Sequence, residues 1–206
     1  MQIDLSGRTA FVSGSTQGIG RVIAARLAAA GAATTINGRD PARVDAVLGE
    51  LRAADPNATF DGVAADVSTA AGAEAVAAAL PHVDLLVNNL GIFAPQPVLE
   101  IDDDTWQRFW DVNVMSGVRL SRRYLPGMGE RGFGRVLFMA SDSAVVIPEE
   151  MVHYGVTKTA LLGLSRGLAK ALAGSGVTVK RCSGHASATT GGALRVDRGY
   201  VDYIVP

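Results

Sequence analysis

The sequence predicts one α/β domain built on a doubly wound parallel β-sheet with helices on both faces. Short apolar segments rich in β-branched residues alternate with Ala- and Leu-rich segments of helical period along the 206 residues. Apolar strands separated by helices are typical of a parallel sheet that is buried on both faces. No repeat, low-complexity segment or linker divides the chain, so we expect residues 1–206 to form a single domain.

The alternation assigns an order to the elements. We predict strands at 8–13, 32–37, 58–66, 83–89, 134–141, 177–181 and 193–196. We predict helices at 18–30, 40–54, 70–79, 102–127 and 152–173. The second helix has a clear start signal, because Asp40 can cap its N-terminus and Pro41 suits its first turn. In such a sheet, ligands bind beyond the carboxyl ends of the strands, so residues that follow strands are the candidates for function.

Composition argues against several classes of protein. A formal net charge of -1 gives no general attraction to nucleic acid or to an anionic membrane. No apolar run approaches the roughly 18 residues of a membrane span, and the N-terminal segment lacks a signal-peptide pattern. The single cysteine, Cys182, indicates a reducing compartment, so we expect a cytoplasmic protein. His153 lies beside Tyr154 but points elsewhere on the helix, so we expect a structural role for it. His82 and His185 have no ligand-like partners, and no metal site is predicted.

A glycine-rich turn, SGSTQGIG at 13–20, follows the first predicted strand and opens the first helix. Its glycines permit a tight turn and let the backbone approach a pyrophosphate at the helix N-terminus. An ordinary strand–helix turn is the alternative, but the flanking elements favour a Rossmann-type dinucleotide site. The predicted cofactor contacts in this turn are Gly14, Ser15, Thr16, Gln17, Gly18, Ile19 and Gly20.

Further motifs follow the later strands. NNLG lies at 88–91, and Asn113 lies in DVNVMS. Ser141 precedes Tyr154 by 13 residues, and HYGVTK places Tyr154 and Lys158 one helical turn apart on one face. Together with the G-x-x-x-G-x-G spacing of the glycines, this order resembles the short-chain dehydrogenase/reductase family.

The resemblance covers about residues 5–179 and resumes in SATTGGALRVDRG near the C-terminus. The chain is broadly similar to the 3-oxoacyl-carrier-protein reductases, although Leu90 replaces the alanine of the family's N-N-A-G motif. It implies that Asn88 and Gly91 contact the cofactor. It also implies a homodimer or homotetramer, since members of this family pair through long helices and the last strand.

The same resemblance implies a proton-transfer group. A free phenol has a pKa of about 10, and an ammonium one turn away favours its ionised form. Tyr154 would act as general acid or base, and Ser141 would stabilise the substrate oxygen. Lys158 would also hold the ribose hydroxyls, and Asn113 would bind a water that completes a proton relay. Taken singly, these residues have structural explanations, and Ser143 is the alternative to Ser141.

The end of the second strand, INGRD, bears on the choice of nicotinamide cofactor. An acidic residue there would bind the ribose of NAD and repel the 2′-phosphate of NADP. Gly38 stands at that position, and the Arg39 guanidinium can grip a phosphate. We therefore expect NADP(H), with NAD(H) as the alternative if Arg39 is only a solvated charge and Asp40 binds the ribose.

Asp66, after the third strand, is a candidate adenine contact. The resemblance implies that Asp66 and Val67 line the adenine pocket. The alternative is that Asp66 caps the next helix, a role that Ser68 could also fill.

The pattern of the family breaks at VTVKRCSG, residues 177–184. The family's Pro-Gly turn and the helical segment that covers its substrate are absent, and the approach to the last strand follows at once. We favour the explanation that residues of this lid are missing from the sequence near 183–185. The other explanation is a chain that truly lacks the lid.

Phe93, Val145, Ile147 and Met151 indicate an apolar-to-mixed cavity, suited to a ketone, a secondary alcohol or an acyl chain. We therefore expect an NADP(H)-dependent oxidoreductase that acts on a small carbonyl or alcohol. The competing hypothesis is a nucleotide-binding regulatory or scaffold protein that has lost turnover.

Overall fold

The computed structural model describes residues 3–182, and within them it contains a six-stranded parallel sheet of order β3-β2-β1-β4-β5-β6. The strands are β1 Thr9–Val12, β2 Ala33–Gly38, β3 Phe60–Ala64, β4 Leu85–Asn88, β5 Gly134–Met139 and β6 Val177–Cys182. The chain starts near the middle of the sheet, winds to one edge and then to the other, which is the doubly wound topology. The predicted fold class is confirmed.

Helices connect every pair of consecutive strands. They are α1 Gly18–Ala29, α2 Pro41–Ala54, α3 Ala70–Ala79, α4 Asp103–Trp110, α5 Ser116–Glu130 and α6 Val152–Ala171. Short 3₁₀ turns occur at Val98–Glu100, Asp142–Ala144 and Glu149–Met151. The predicted strand at 193–196, the junction at 183–185 and His185 lie outside the described residues. None of the helices within residues 3–182 is both long and apolar enough to cross a bilayer.

Alternating side chains of the strands bury two apolar layers, one on each face of the sheet. On one face, Phe11, Leu86 and Phe138 pack with α3, α5 and α6. On the other face, Val12 and Val87 pack with α1 and α2. Because both faces are covered, the carboxyl edge of the sheet is where polar groups of the strand ends meet solvent.

The helix predicted at 102–127 is two helices joined by a π-helical turn, Asp111–Met115. The widened turn carries Asn113, and such turns are frequent at functional sites. The predicted end at 127 is wrong, because α5 continues past Pro126 to Glu130. The stop signal is Gly132 (φ +67), where Phe133 N–H donates to the Met128 carbonyl at 3.1 Å.

His153, at the start of α6, is fully buried and joins α6 to α4. Its ring lies 4.0 Å from that of Phe109 and 6.0 Å from that of Trp106, centroid to centroid. Neither ring nitrogen has a hydrogen-bond partner among residues 3–182. This burial lowers the pKa of His153, because an unpaired cation is poorly solvated there. The role of His153 is packing, as the sequence suggested.

The substitution His153→Phe is expected to raise the free energy of unfolding by about 1–2 kcal/mol at pH 7, since it removes unpaired buried polar atoms. In the parent protein, stability should fall as the pH drops below about 6.5, because the unfolded histidine binds a proton that the folded one resists. Urea unfolding between pH 5 and 8 measures both effects. His82→Gln, at an exposed histidine, should keep the decrease in the free energy of unfolding at acid pH. An equal decrease in His153→Phe and in the parent would contradict the assignment of this decrease to His153.

Candidate active site

The glycine turn lies at the carboxyl end of β1, beside the end of β4, where the strand order reverses. Gly14 (φ +60) and Gly18 (φ +55) adopt backbone angles that favour glycine. A Cβ at Gly20 would lie 2.4 Å from Nδ2 of Asn89 and 2.7 Å from the Gly14 carbonyl oxygen. The spacing of the glycines therefore reflects a turn that packs against the end of β4.

The N-terminus of α1 is open. Gln17 occupies the N-cap position, and its side chain caps no backbone N–H. Gln17, Gly18 and Ile19 are exposed and Thr16 is half-buried, so the first turn of α1 presents its N–H groups at the surface. Such a terminus favours a phosphate group through its N–H donors and the helix dipole.

Two buried polar side chains, those of Ser15 and Asn37, hold this turn in place, a role that was not predicted for either residue. Ser15 Oγ donates to the Val12 carbonyl at 2.6 Å and accepts from Asn37 N–H at 2.9 Å. Asn37 Oδ1 accepts from Gly14 N–H at 3.3 Å, and its Nδ2 donates to two carbonyls at the end of β3. The only sequence signal was the position of Asn37 at the end of an apolar strand.

The two asparagines of NNLG face opposite sides of the sheet, as neighbours on a strand do. Asn89 Nδ2 donates to the carbonyls of Ser13 (3.0 Å) and Gly14 (2.9 Å). The Asn88 side chain is buried on the other side and donates to Ser121 Oγ of α5 at 3.4 Å. Only the main chain of Asn88 is therefore placed to contact a cofactor. Asn89 is the asparagine whose side chain fixes the glycine turn.

Arg39, directly after β2, has a guanidinium that is free to bind a ligand. Its guanidinium is exposed and makes no hydrogen bond or ion pair with the residues described. A Cβ at Gly38 would approach Thr16 Cγ2 to 2.6 Å, so an acidic side chain does not fit there without displacing Thr16. Asp40 caps α2 by accepting from Ala42 N–H at 3.0 Å, as predicted.

Neither predicted residue caps α3. The N-cap is Thr69, whose Oγ1 accepts from Gly72 N–H at 3.0 Å. Asp66 uses Oδ1 to accept from the N–H (3.0 Å) and hydroxyl (2.6 Å) of Ser68. Its Oδ2 stays free of hydrogen bonds within residues 3–182. The Val67 side chain is fully buried in the core, so only its main chain can face an adenine.

Lys158 is the buried cation of the site. It is 5% exposed, and its Nζ donates to the Met139 carbonyl at 2.8 Å. Burial lowers its pKa to about 8. The Nζ lies 5.6 Å from the centre of the Tyr154 ring. The Tyr154 hydroxyl makes no hydrogen bond within the described part of the chain, and the residue is half-buried.

Asn113 joins α6, at the residue before Lys158, to the loop after β4. Its Oδ1 accepts from Ile92 N–H at 2.7 Å, and its Nδ2 donates to the Ile92 carbonyl (3.0 Å) and to Thr157 Oγ1 (2.9 Å). A Cβ at Gly91 would lie 3.4 Å from Lys158 Nζ and 3.5 Å from Asn113 Oδ1. The structure thus brings Asn113, Lys158 and Gly91 together.

Ser141 starts the turn at the carboxyl end of β5, two residues beyond the carbonyl that holds Lys158. Its Oγ accepts from Ser143 N–H at 3.2 Å and donates to no group among residues 3–182, so the hydroxyl hydrogen is available. Ser143 takes part in this turn through its main chain. The Ser141 hydroxyl therefore lies at the end of β5 with its hydrogen free to be donated.

An apolar rim, defined by Phe93, Val145, Val146 and Ile147, borders Tyr154. All four side chains are exposed, and the Phe93 ring meets the Tyr154 ring edge-on at 6.2 Å between centroids. Met151, the other residue predicted here, is half-buried. Among the described residues, no three His, Cys, Asp or Glu side chains are grouped to hold a metal ion.

Comparisons with known proteins agree with this geometry. The family model of the short chain dehydrogenases matches residues 8–193. The chain is 49% identical to the uncharacterised oxidoreductase YvaG of Bacillus subtilis (strain 168), over 87% of this chain and 68% of that protein. It is 30% identical to the 3-oxoacyl-[acyl-carrier-protein] reductase FabG of Escherichia coli (strain K12), over 86% and 72%. The crystal structure of L-sorbose reductase from Gluconobacter frateurii, complexed with NADPH and L-sorbose, superposes with a TM-score of 0.83 at 34% identity, covering 88% of this chain and 70% of that one.

The substitution Lys158→Met is expected to raise the free energy of unfolding at pH 7 by about 1–3 kcal/mol, because each unit by which burial lowers the pKa costs about 1.4 kcal/mol. In the parent protein, stability should rise between pH 8 and about 10.5, since the unfolded lysine keeps a proton that the folded one has released. Denaturant unfolding across this range measures the rise. Lys170→Met, at an exposed lysine of α6, is the matched control, and a rise that persists in Lys158→Met would contradict the assignment.

Proposed function

Because the chain belongs to the short-chain dehydrogenase/reductase family, we propose that it is an NADP(H)-dependent oxidoreductase that interconverts a ketone or 3-oxoacyl group and a secondary alcohol. The observation that carries this proposal is the pair on α6: the buried Lys158 ammonium lies 5.6 Å from the centre of the Tyr154 ring, and the Tyr154 hydroxyl has no hydrogen-bond partner among residues 3–182. We place it in the cytoplasm as a homodimer or homotetramer that acts on a small molecule.

The described residues fit the cofactor. The open N-terminus of α1 and the turn from Gly14 to Gly20 would hold the pyrophosphate. Arg39 would bind the 2′-phosphate, and Asp66 Oδ2 with the main chain of Val67 would bind the adenine. The main chains of Asn88 and Gly91 would line the crevice, and Lys158 would donate to the ribose hydroxyls. When bound, NADPH supplies a hydride.

The proton comes from Tyr154. The phenol would donate its proton to the carbonyl oxygen, while the bound cofactor would supply hydride to the carbonyl carbon, so that a ketone, NADPH and a proton would give a secondary alcohol and NADP⁺. The Lys158 ammonium stabilises the phenolate that remains, because opposite charges attract strongly in a site with little water. Ser141 donates to the same substrate oxygen and stabilises its negative charge. A water between Asn113 and Lys158 would return the proton, as the resemblance implies.

Two observations support NADP(H) over NAD(H). The Arg39 guanidinium has no partner among residues 3–182, so a phosphate would not have to displace one. Gly38 is packed against Thr16, so an acidic side chain at the position that would bind the ribose of NAD would have to displace Thr16. The superposed L-sorbose reductase structure contains NADPH, which agrees with this choice.

The substitution Tyr154→Phe is expected to lower kcat by about 10²–10⁴-fold, the usual contribution of general acid catalysis, and to leave NADPH affinity within about twofold. NADPH oxidation at 340 nm, with a 3-oxoacyl thioester, a cyclic ketone and a keto sugar as substrates, measures turnover. Fluorescence titration measures binding. Persistent turnover would refute the role of Tyr154. Tight NADPH binding by the parent, without turnover of any carbonyl, would favour a regulatory binding protein.

The substitution Arg39→Ala is expected to weaken NADPH binding by about tenfold or more, because a charge-assisted hydrogen bond contributes about 1.5–3 kcal/mol. NADH binding should change by less than about twofold. Fluorescence titration with both cofactors measures the ratio. Arg43→Ala, one turn further along α2 and also exposed, is the control, and equal losses for the two cofactors would refute the contact with the 2′-phosphate.

A further inference from the structure

We propose that Arg119 is a positioning residue that links occupation of the adenine loop, residues 65–69, to the placement of Asn113. This inference rests on the proposed function, because it takes the adenine loop as the binding site of the adenosine half of the cofactor. Arg119 lies on α5, and its side chain is 16% exposed. It forms a bridge between two segments that touch different ends of the proposed cofactor.

One end of the bridge is the adenine loop. Arg119 Nη1 donates to the Ser68 carbonyl, directly after Val67. Ser68 is also the residue whose N–H and hydroxyl both donate to Asp66 Oδ1. Movement of Asp66 towards an adenine amino group would therefore pull Ser68 with it. Because Arg119 is bonded to the Ser68 carbonyl, the guanidinium would move as well.

The other end of the bridge is the π-helical turn. Arg119 Nη2 donates to Asp111 Oδ1 at 3.0 Å, and Gln107 Nε2 donates to Asp111 Oδ2 at 2.8 Å. These hydrogen bonds, of which that from Gln107 has the larger effect, keep the pKa of Asp111 below its usual value, so the carboxylate is charged. Asp111 opens the turn that carries Asn113, which fixes Ile92 through both main-chain groups.

The bridge requires the planar guanidinium. Two of its nitrogens donate in different directions at once, to a main-chain carbonyl on one side and to a carboxylate on the other. A lysine has a single nitrogen and a point charge, so it would hold one end and release the other. A groove between residues 68–70 and the π-helical turn is lined by both Arg119 and Arg108. Arg108 is exposed and makes neither of these bonds.

Amide hydrogen exchange tests the link without any turnover. Adenosine 2′,5′-bisphosphate is the probe, because it fills the adenosine half of the site and cannot reach Asn113. In the parent protein at saturation, exchange of the Ile92 amide should slow by at least about fivefold, the lower end of usual couplings between sites. In Arg119→Gln and Arg119→Lys it should slow by less than about twofold at equal saturation, and Arg108→Gln should behave as the parent.

The outcomes are distinct. A slowing that persists in both Arg119 variants, or that is missing from the parent despite saturation, overturns the link and leaves the proposed function intact. Failure of the probe to bind the parent, measured by calorimetry, refutes the proposed NADP site and the inference with it. Arg119→Lys retains the charge and most of the packing, so it covers the case in which Arg119→Gln does not fold.

Discussion

The buried ammonium of Lys158 is the constraint on which the active-site half of the structure depends. A cation with so little exposure needs an oxygen partner, and within the described residues the Met139 carbonyl provides it. This bond fixes the distance between α6 and the end of β5. A Cβ at Gly91 would lie in ordinary contact with Lys158 Nζ (3.4 Å) and Asn113 Oδ1 (3.5 Å), so Gly91 and Asn113 border the space beside Nζ. Burying the ammonium there has an electrostatic cost, which the surrounding core must offset.

The cofactor half is built on a different principle. The carboxyl ends of the strands leave main-chain groups that the sheet no longer pairs, and buried groups of this kind need partners. Ser15, Asn37 and Asn89 supply them, each joining main-chain groups from different segments. The glycine turn is thus held from behind by neutral hydrogen bonds. Its open face retains the N–H groups at the start of α1 for a ligand.

Sequence patterns predicted the fold class, the strand and helix order and most boundaries, because burial on both faces gives a strong signal. The end of α5 was missed because Pro126 and Gly127 look like a stop, whereas the chain reverses only at Gly132, where φ is positive. The motifs predicted the candidate site residues but not the side chains that support them. Asn37 and Arg119 donate to main-chain groups distant in sequence, and such partners leave no local pattern.

The two halves of the site differ in how freely they can change. Around the glycine turn, the side chains of Ser15, Asn37 and Asn89 each serve two or more main-chain groups, so replacing one leaves buried groups unpaired. The side chains of the apolar rim, Phe93, Val145, Val146 and Ile147, are exposed and satisfy no buried polar group, so they can be replaced without leaving one unpaired. One main-chain bond, from Gln96 N–H to the Glu150 carbonyl at 2.8 Å, ties the two loops of the rim. Under the proposed function, substitutions in the rim would change substrate preference and leave the glycine turn intact, and the similar proteins include both a 3-oxoacyl-[acyl-carrier-protein] reductase and an L-sorbose reductase.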